Sequence, residues 1–346
     1  MTITGHTPLH GCTPTWAAHG NYAPRYGWLS KVQTALSDDI LTFSRRDVTV
    51  RLGVGSSMVR AMRFWSMAFG LLETTSAPYP FGLTPTARGD WLLDPDTGAD
   101  PYQEENATQW LLHWWLLSSS ACPLPTFHCL IADTGLSTHT RDDAIRIVRR
   151  AAERRGWKAP SKNQVSRDLT AFLAMYATAV PETEIDARSA TANRHVEEAV
   201  FNPWRNLRIV LRVPGDTDVF QVNRDAGCLA PKAITAYACL DHAARTVGDA
   251  HSIALSRLHT DPSGPGRVMS ASYRTLQLAL EDAVDRHPEL DLCIADHGDG
   301  TPHLYWTGTA QRAAARILAS YYNREDGPPP APAPTQQDVF DALFDL

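Results

Sequence analysis

No Cys-x-x-Cys pair, no uninterrupted apolar run of membrane length and no solenoid-type repeat occurs in this sequence. Its six cysteines (Cys12, Cys122, Cys129, Cys228, Cys239 and Cys293) follow no regular spacing, which argues against a disulfide framework and predicts free thiols in a reducing, cytoplasmic setting. Cys122, His128 and Cys129 lie near one another along the chain. Pro123 and Pro125 fall between them and no second ligand pair has recognisable spacing, so structural zinc is not expected. No apolar signal region opens the chain, and no bilayer span is predicted. Also missing are a Walker loop, a Gly-x-Ser-x-Gly elbow and a His-Glu-x-x-His pair. Gly53-Val-Gly55 has too few glycines for a phosphate cradle.

The formal charge of −6 excludes a uniformly basic coat. Its distribution says more. From Arg25 to Arg63 seven bases face three acids, from Glu73 to Glu105 seven acids face Arg88, and from Arg141 to Asp168 nine bases face four acids. Two basic blocks around an acidic one suit a protein that touches phosphate at two places. Solvated helix faces give similar counts. With 43% apolar residues, most of the 346-residue chain is expected to be globular, in two or three domains.

The first 45 or so residues read as irregular, with Arg25 and Lys31 in a Pro24–Lys31 run. Residues 46–120 then read as a winged-helix-like DNA-binding domain. Gly53 and Gly55 make a tight turn, and Ser56 is the expected N-cap of the next helix. Met58, Met62, Trp65, Phe69 and Leu72 recur on one helical face, leaving Ser56, Arg60 and Arg63 on the side a DNA groove would meet. A Pro- and Tyr-rich loop follows Glu73. Thr84 is then expected to cap a helix beginning at Pro85.

Asn106–Leu117 is apolar nearly all round and is predicted to be a core helix. Residues 121–200 read as a second helix-turn-helix-like domain. Thr140 with Asp143 and Ser161 with Gln164 fit capping boxes, and Val165, Leu169, Phe172 and Tyr176 face inward. Lys162, Asn163 and Arg167 stay outward, where they suit phosphate or base edges; an ordinary helical hairpin explains them equally well. Residues 201–324 read as a C-terminal α+β domain. It has one hairpin around Pro214–Thr217, another around Asp296–Gly300, and helices over 232–245, 273–286 and 309–322. Residues 325–346 form a Pro-rich linker and an acidic-aromatic tail, with Phe340, Leu343 and Phe344 as anchors for a partner groove or for the tail's own domain. The fold class is therefore mainly α with small β-sheets (α+β).

Asp261, Glu281, Asp296 and His297 are the candidate catalytic group for metal-assisted phosphodiester cleavage. Asp261 and Asp296 would be the ligands of Mg²⁺ or Mn²⁺, because carboxylates hold a cation that activates water and neutralises developing charge. The competing reading is structural: Asp261–Gly266 is a turn and Asp296–Gly300 is hairpin punctuation. Arg267 suits a phosphate contact or a salt bridge.

Several segments together carry a family resemblance. They are His19 with Pro24-Arg-Tyr-Gly-Trp-Leu-Ser-Lys31, Val50–Arg60, Leu83–Gly89, Asp100–Trp114 and Gly264-Pro-Gly-Arg-Val-Met269. Over about residues 16 to 320 the chain resembles SspB-like proteins of bacterial DNA phosphorothioation. Asn21-Tyr22 and Met269 depart from the family pattern. The resemblance implies a DNA-nicking protein that works in phage defence beside a cysteine desulfurase, an ATPase and an ATP pyrophosphatase. It assigns no catalytic residue position by position. A non-catalytic DNA adaptor and a protein-binding scaffold stay open as alternatives, as does a homodimer.

Overall fold

The computed structural model describes residues 7–75, 82–135, 137–178, 202–213 and 216–329. The proposed wing loop, the Pro214 turn, much of the segment before Phe201 and the tail anchors Phe340, Leu343 and Phe344 fall outside these residues. Within them the chain is mainly helical, with small antiparallel sheets. None of the described helices is long and apolar enough to cross a membrane.

Helix α1 (Trp28–Asp38), short α2 (Val48–Leu52) and α3 (Ser56–Ala68) come first, followed by strands β1 (Leu72–Thr74) and β2 (Leu83–Pro85). Gly53 ends α2 at φ 62°, a left-handed position where a side chain is strained. Helix α3 seals Met62, Phe64 and Trp65 into the core and leaves Ser56 and Arg60 exposed. Its N-cap is Gly55, not Ser56; Ser56 is already the first helical residue, and no side chain caps this end. The next cap also differs from expectation. Thr84 pairs with Glu73 in the hairpin, and Thr86 caps α4 (Ala87–Leu93) by accepting from the Gly89 N–H at 3.0 Å.

Helix α5 (Asn106–Leu117) is the centre of the molecule: every residue after Asn106 is buried. Trp114 and Trp115 each donate their indole N–H across the core, to Asp241 at 2.8 Å and to the Tyr237 hydroxyl at 2.9 Å. Helix α6 (Pro125–His128) runs directly into a π-turn, Cys129–Asp133. Helices α7 (Arg141–Arg154) and α8 (Lys162–Tyr176) begin with the two predicted capping boxes, both formed. Val165, Leu169, Phe172 and Tyr176 are inaccessible, and Lys162, Asn163 and Arg167 are exposed.

Strands β3 (Thr138–Thr140), β4 (Val210–Val213) and β5 (Asp216–Val222) pair in the order β3-β5-β4. Helix α9 (Lys232–Thr246) packs on α5 and ends near the second sheet, where β6 (Ser252–Ala254), β7 (Cys293–Asp296) and β8 (Pro302–Tyr305) pair as β6-β8-β7. Between them lie α10 (Leu255–Thr260), α11 (Pro265–Val268) and α12 (Tyr273–Arg286), and α13 (Ala310–Tyr321) closes on α9. One cluster of buried residues runs from Leu9 to Leu318, so the described segments share a core.

Candidate functional site

A cleft of about 800 Å³ opens between the β1–β2 hairpin and α9. Phe64, Met67, Phe69 and Leu72 give it an apolar wall. Arg88, Arg155 and Arg245 also line it, as does His242. Arg245 is bound in place by Asp241 at 3.1 Å and by the Ser118 carbonyl, and it lies over the Trp114 ring. Arg88 is different. It is only 6% exposed, stacks 4.3 Å from the Trp115 ring centroid, and its Nε has no hydrogen-bond partner among the described residues. A buried cation whose hydrogen-bonding capacity is unspent marks a place where an anion is favoured.

The cleft floor is built by three distant stretches of chain. His10 and Gly11 come from the N-terminal segment, Ser119–Ala121 from the end of α5, and Pro262 with Ser263 from the turn before α11. Ser263 adopts φ 55°, a left-handed conformation uncommon for a residue with a Cβ. Its Oγ stands 3.1 Å from the His10 carbonyl and 3.0 Å from Nε2 of His128. The other ring nitrogen of His128 is 3.4 Å from Asp133 Oδ2, and both residues are buried. That spacing is an ion-pair contact rather than an aligned hydrogen bond. Asp133 also accepts from the Leu9 N–H at 2.8 Å. Burial opposes charge on His128, but Asp133 and Cys122 outweigh it and shift the imidazole upward, with Arg267 opposing.

A family model described as "Protein of unknown function (DUF4007)" matches residues 16–322. The structure is similar to a magnesium ion-bound SspB crystal structure, 30% identical, with a TM-score of 0.81 and 96% of each chain covered. It is also similar to a further SspB crystal structure, 31% identical, with a TM-score of 0.79, covering 96% of this chain and 94% of that one. The chain belongs to this SspB-like DUF4007 family. No curated protein matches it.

In this SspB-like fold the predicted residues are spread widely. Asp261 sits beside the cleft, where its Oδ2 meets His242 at 3.2 Å and Arg257 at 2.9 Å. Burial raises the Asp261 carboxyl, but those two partners outweigh it and hold it below the usual range. Glu281 lies on α12 against Gln277. Asp296 ends β7 in solvent, and His297 bonds the Tyr305 hydroxyl at 2.9 Å and stacks on His303. Among the described residues no three His, Cys, Asp or Glu side chains gather as a metal cage. The four predicted catalytic residues therefore do not meet as one centre.

The predicted DNA contacts fare differently. Arg25 is exposed near Trp28, and Lys31 reaches the carbonyl of Leu52 at 3.3 Å, at the end of α2. Arg63 is partly buried, whereas Ser56 and Arg60 are open. Arg167 donates to Asn21 at 3.0 Å, tying α8 to the N-terminal segment, with Lys162 and Asn163 exposed beside it. Arg267 points inward instead. Its guanidinium is 3.5 Å from the Ala132 carbonyl and is lowered by burial. Sequence reasoning did not single out Arg88 or the Ser263–His128–Asp133 chain as functional. Their trace was the Asp261-Pro-Ser-Gly-Pro-Gly266 turn and the Cys122–His128–Cys129 cluster, each given a different meaning.

Proposed function

We propose that the chain binds DNA and nicks one strand, within a bacterial phosphorothioate-modification and phage-defence system. The supporting observation is helix α3. One face is sealed into the core, and the other presents Ser56 and Arg60 directly before a two-stranded hairpin. Helix, turn, helix and hairpin follow one another in the order of a winged helix, with α3 as the proposed recognition element. Arg25, Lys31, Lys162, Asn163 and Arg167 extend the phosphate-binding surface. A cysteine desulfurase, an ATPase and an ATP pyrophosphatase of the same system are its proposed partners. A strand opened by a nick exposes the phosphate to sulfur insertion.

Mg²⁺ or Mn²⁺ is the proposed cofactor, supported by the magnesium-bound relative. The described residues supply no three-ligand cage, so Asp261 or Asp296 would hold the ion jointly with DNA phosphate oxygens, as Mg²⁺ commonly requires. When bound, it would neutralise charge on the phosphate. The deciding experiment incubates purified protein with supercoiled plasmid and Mg²⁺, Mn²⁺ or EDTA. Open circles without linear product, abolished by EDTA, are expected. Retarded but fully supercoiled plasmid would replace the nickase with a DNA-docking adaptor.

A further inference from the structure

We propose that Ser263 is a nucleophile, activated by His128 with Asp133 as the positioning carboxylate, and that it attacks a phosphodiester held in the cleft by Arg88 and Arg245. Four independent features converge on it. The first is the chain of contacts: Ser263 Oγ to His128 Nε2 at 3.0 Å, then His128 Nδ1 to Asp133 Oδ2 at 3.4 Å. A hydroxyl and a carboxylate stand at opposite ring nitrogens of one imidazole, the order of an activated serine, although the Nδ1 to Asp133 contact is not an aligned hydrogen bond at rest.

The second is local backbone. Cys129–Asp133 is a π-turn, a rare conformation concentrated at functional sites, and it brings Asp133 back over His128 five residues earlier. Ser263 is held at positive φ between Pro262 and Gly264, which presents its side chain on a tight turn. Gly266 permits that turn, since a Cβ there would stand 2.5 Å from the His259 backbone.

The third is position: Ser263, itself only 6% exposed, lines the cleft, and His128 and Asp133 lie deeper still. The fourth is charge. Arg88 and Arg245 line the same cleft, and the Nε of buried Arg88 has no partner among the described residues, which suits a phosphodiester anion over a neutral ester.

The step balances without any redox partner. Ser263 Oγ forms a bond to phosphorus as its proton passes to His128 Nε2. The bond from phosphorus to one ribose oxygen breaks, and that oxygen takes the proton from His128. Water then attacks the phosphoseryl group, giving its proton to His128, and the proton returns to Ser263 as the Oγ–P bond breaks. The resting contact to the His10 carbonyl must yield, because the hydroxyl has only one proton to give.

This inference rests on the nicking reading, and its test separates the two. The full chain is treated with a fluorophosphonate, which phosphorylates activated serines without any DNA, and the adduct is located by peptide mass spectrometry. Labelling of Ser263 is expected. It should be absent in Ser263→Ala and slower by about 10²-fold or more in His128→Gln, as loss of a general base requires. Asp133→Asn should move the pH profile of labelling to lower pH. Burial and Arg267 push the His128 imidazole down while Asp133 and Cys122 push it up, so removing the carboxylate frees the base at lower pH. No adduct on Ser263 in the folded parent protein overturns the inference. Plasmid nicking at the parent rate by Ser263→Ala also overturns it while leaving the nickase intact. Ser263 labelling in a protein that never nicks keeps the nucleophile and removes DNA as its substrate.

Discussion

The guanidinium of Arg88 lies over the indole of Trp115, 4.3 Å from the ring centroid, at a depth where only 6% of the arginine is exposed. The ring face offsets part of the desolvation cost of the cation. An oxyanion entering the cleft would complete the compensation.

Replacing Arg88 by Met therefore separates stability from binding. The apolar stem is kept and the buried charge removed, so thermal stability is expected to hold or rise by about 1 kcal/mol. DNA affinity should fall, with the salt slope of binding reduced by about one. Thermal unfolding together with a salt titration of a fluorescent duplex checks both. Lower stability with unchanged affinity would make Arg88 a structural cation.

Arg60→Ala with Arg63→Ala should weaken DNA binding and lower the same slope by up to about two, because each lost phosphate contact retains roughly one counterion. A double variant indistinguishable from the parent would take α3 out of the interface.

His113 gives a pH dependence. Burial depresses it to about 4, and its nitrogens face the Tyr176 hydroxyl and the Val268 carbonyl, each at 2.8 Å. Its ordinary value in the unfolded chain is about 6.5. Between those values the unfolded state takes up the proton and the folded state does not. Stability is thus intact above pH 6.5 and declines as pH falls toward 4, by about 3 kcal/mol at most. Denaturation midpoints of the parent and of His113→Gln, followed from pH 7.5 to 4, should converge as the pH drops. Parallel curves would remove His113 as the cause.

What was legible in the chain was what local chemistry decides. Thr140 with Asp143 and Ser161 with Gln164 carry their capping partners three residues away, and both boxes formed as read. The misplaced caps at Ser56 and Thr84 erred by one and two positions, because a hairpin claimed Thr84 and Gly55 could take the cap conformation itself. The candidate site was not legible. Asp261, Glu281, Asp296 and His297 are the right residue types for the chemistry, but only tertiary packing decides which side chains meet. The contact between Asp133 and His128 depends on a π-turn, whose spacing matches neither helical nor strand periodicity.

Gly89, at the end of the Leu83–Gly89 segment, gives a stability test. A Cβ there would stand 2.4 Å from the Leu71 carbonyl oxygen, where neither backbone can easily retreat. Gly89→Ala is expected to cost ~1–3 kcal/mol by overpacking, read as a lower unfolding midpoint in urea. Unchanged stability would mean that α4 shifts freely against the hairpin.

The hydrogen bond from Ser263 to His10 joins residues 253 positions apart. Such a closure sets an order of events during synthesis. The early segment leaves the ribosome long before the turn that completes the cleft floor, although its partners near Cys122 and Asp133 are made earlier. A chain interrupted at the end of α10 would contain α1 to α4 with the β1–β2 hairpin and still lack Ser263. Such premature fragments keep the α3 surface and lack a complete cleft floor.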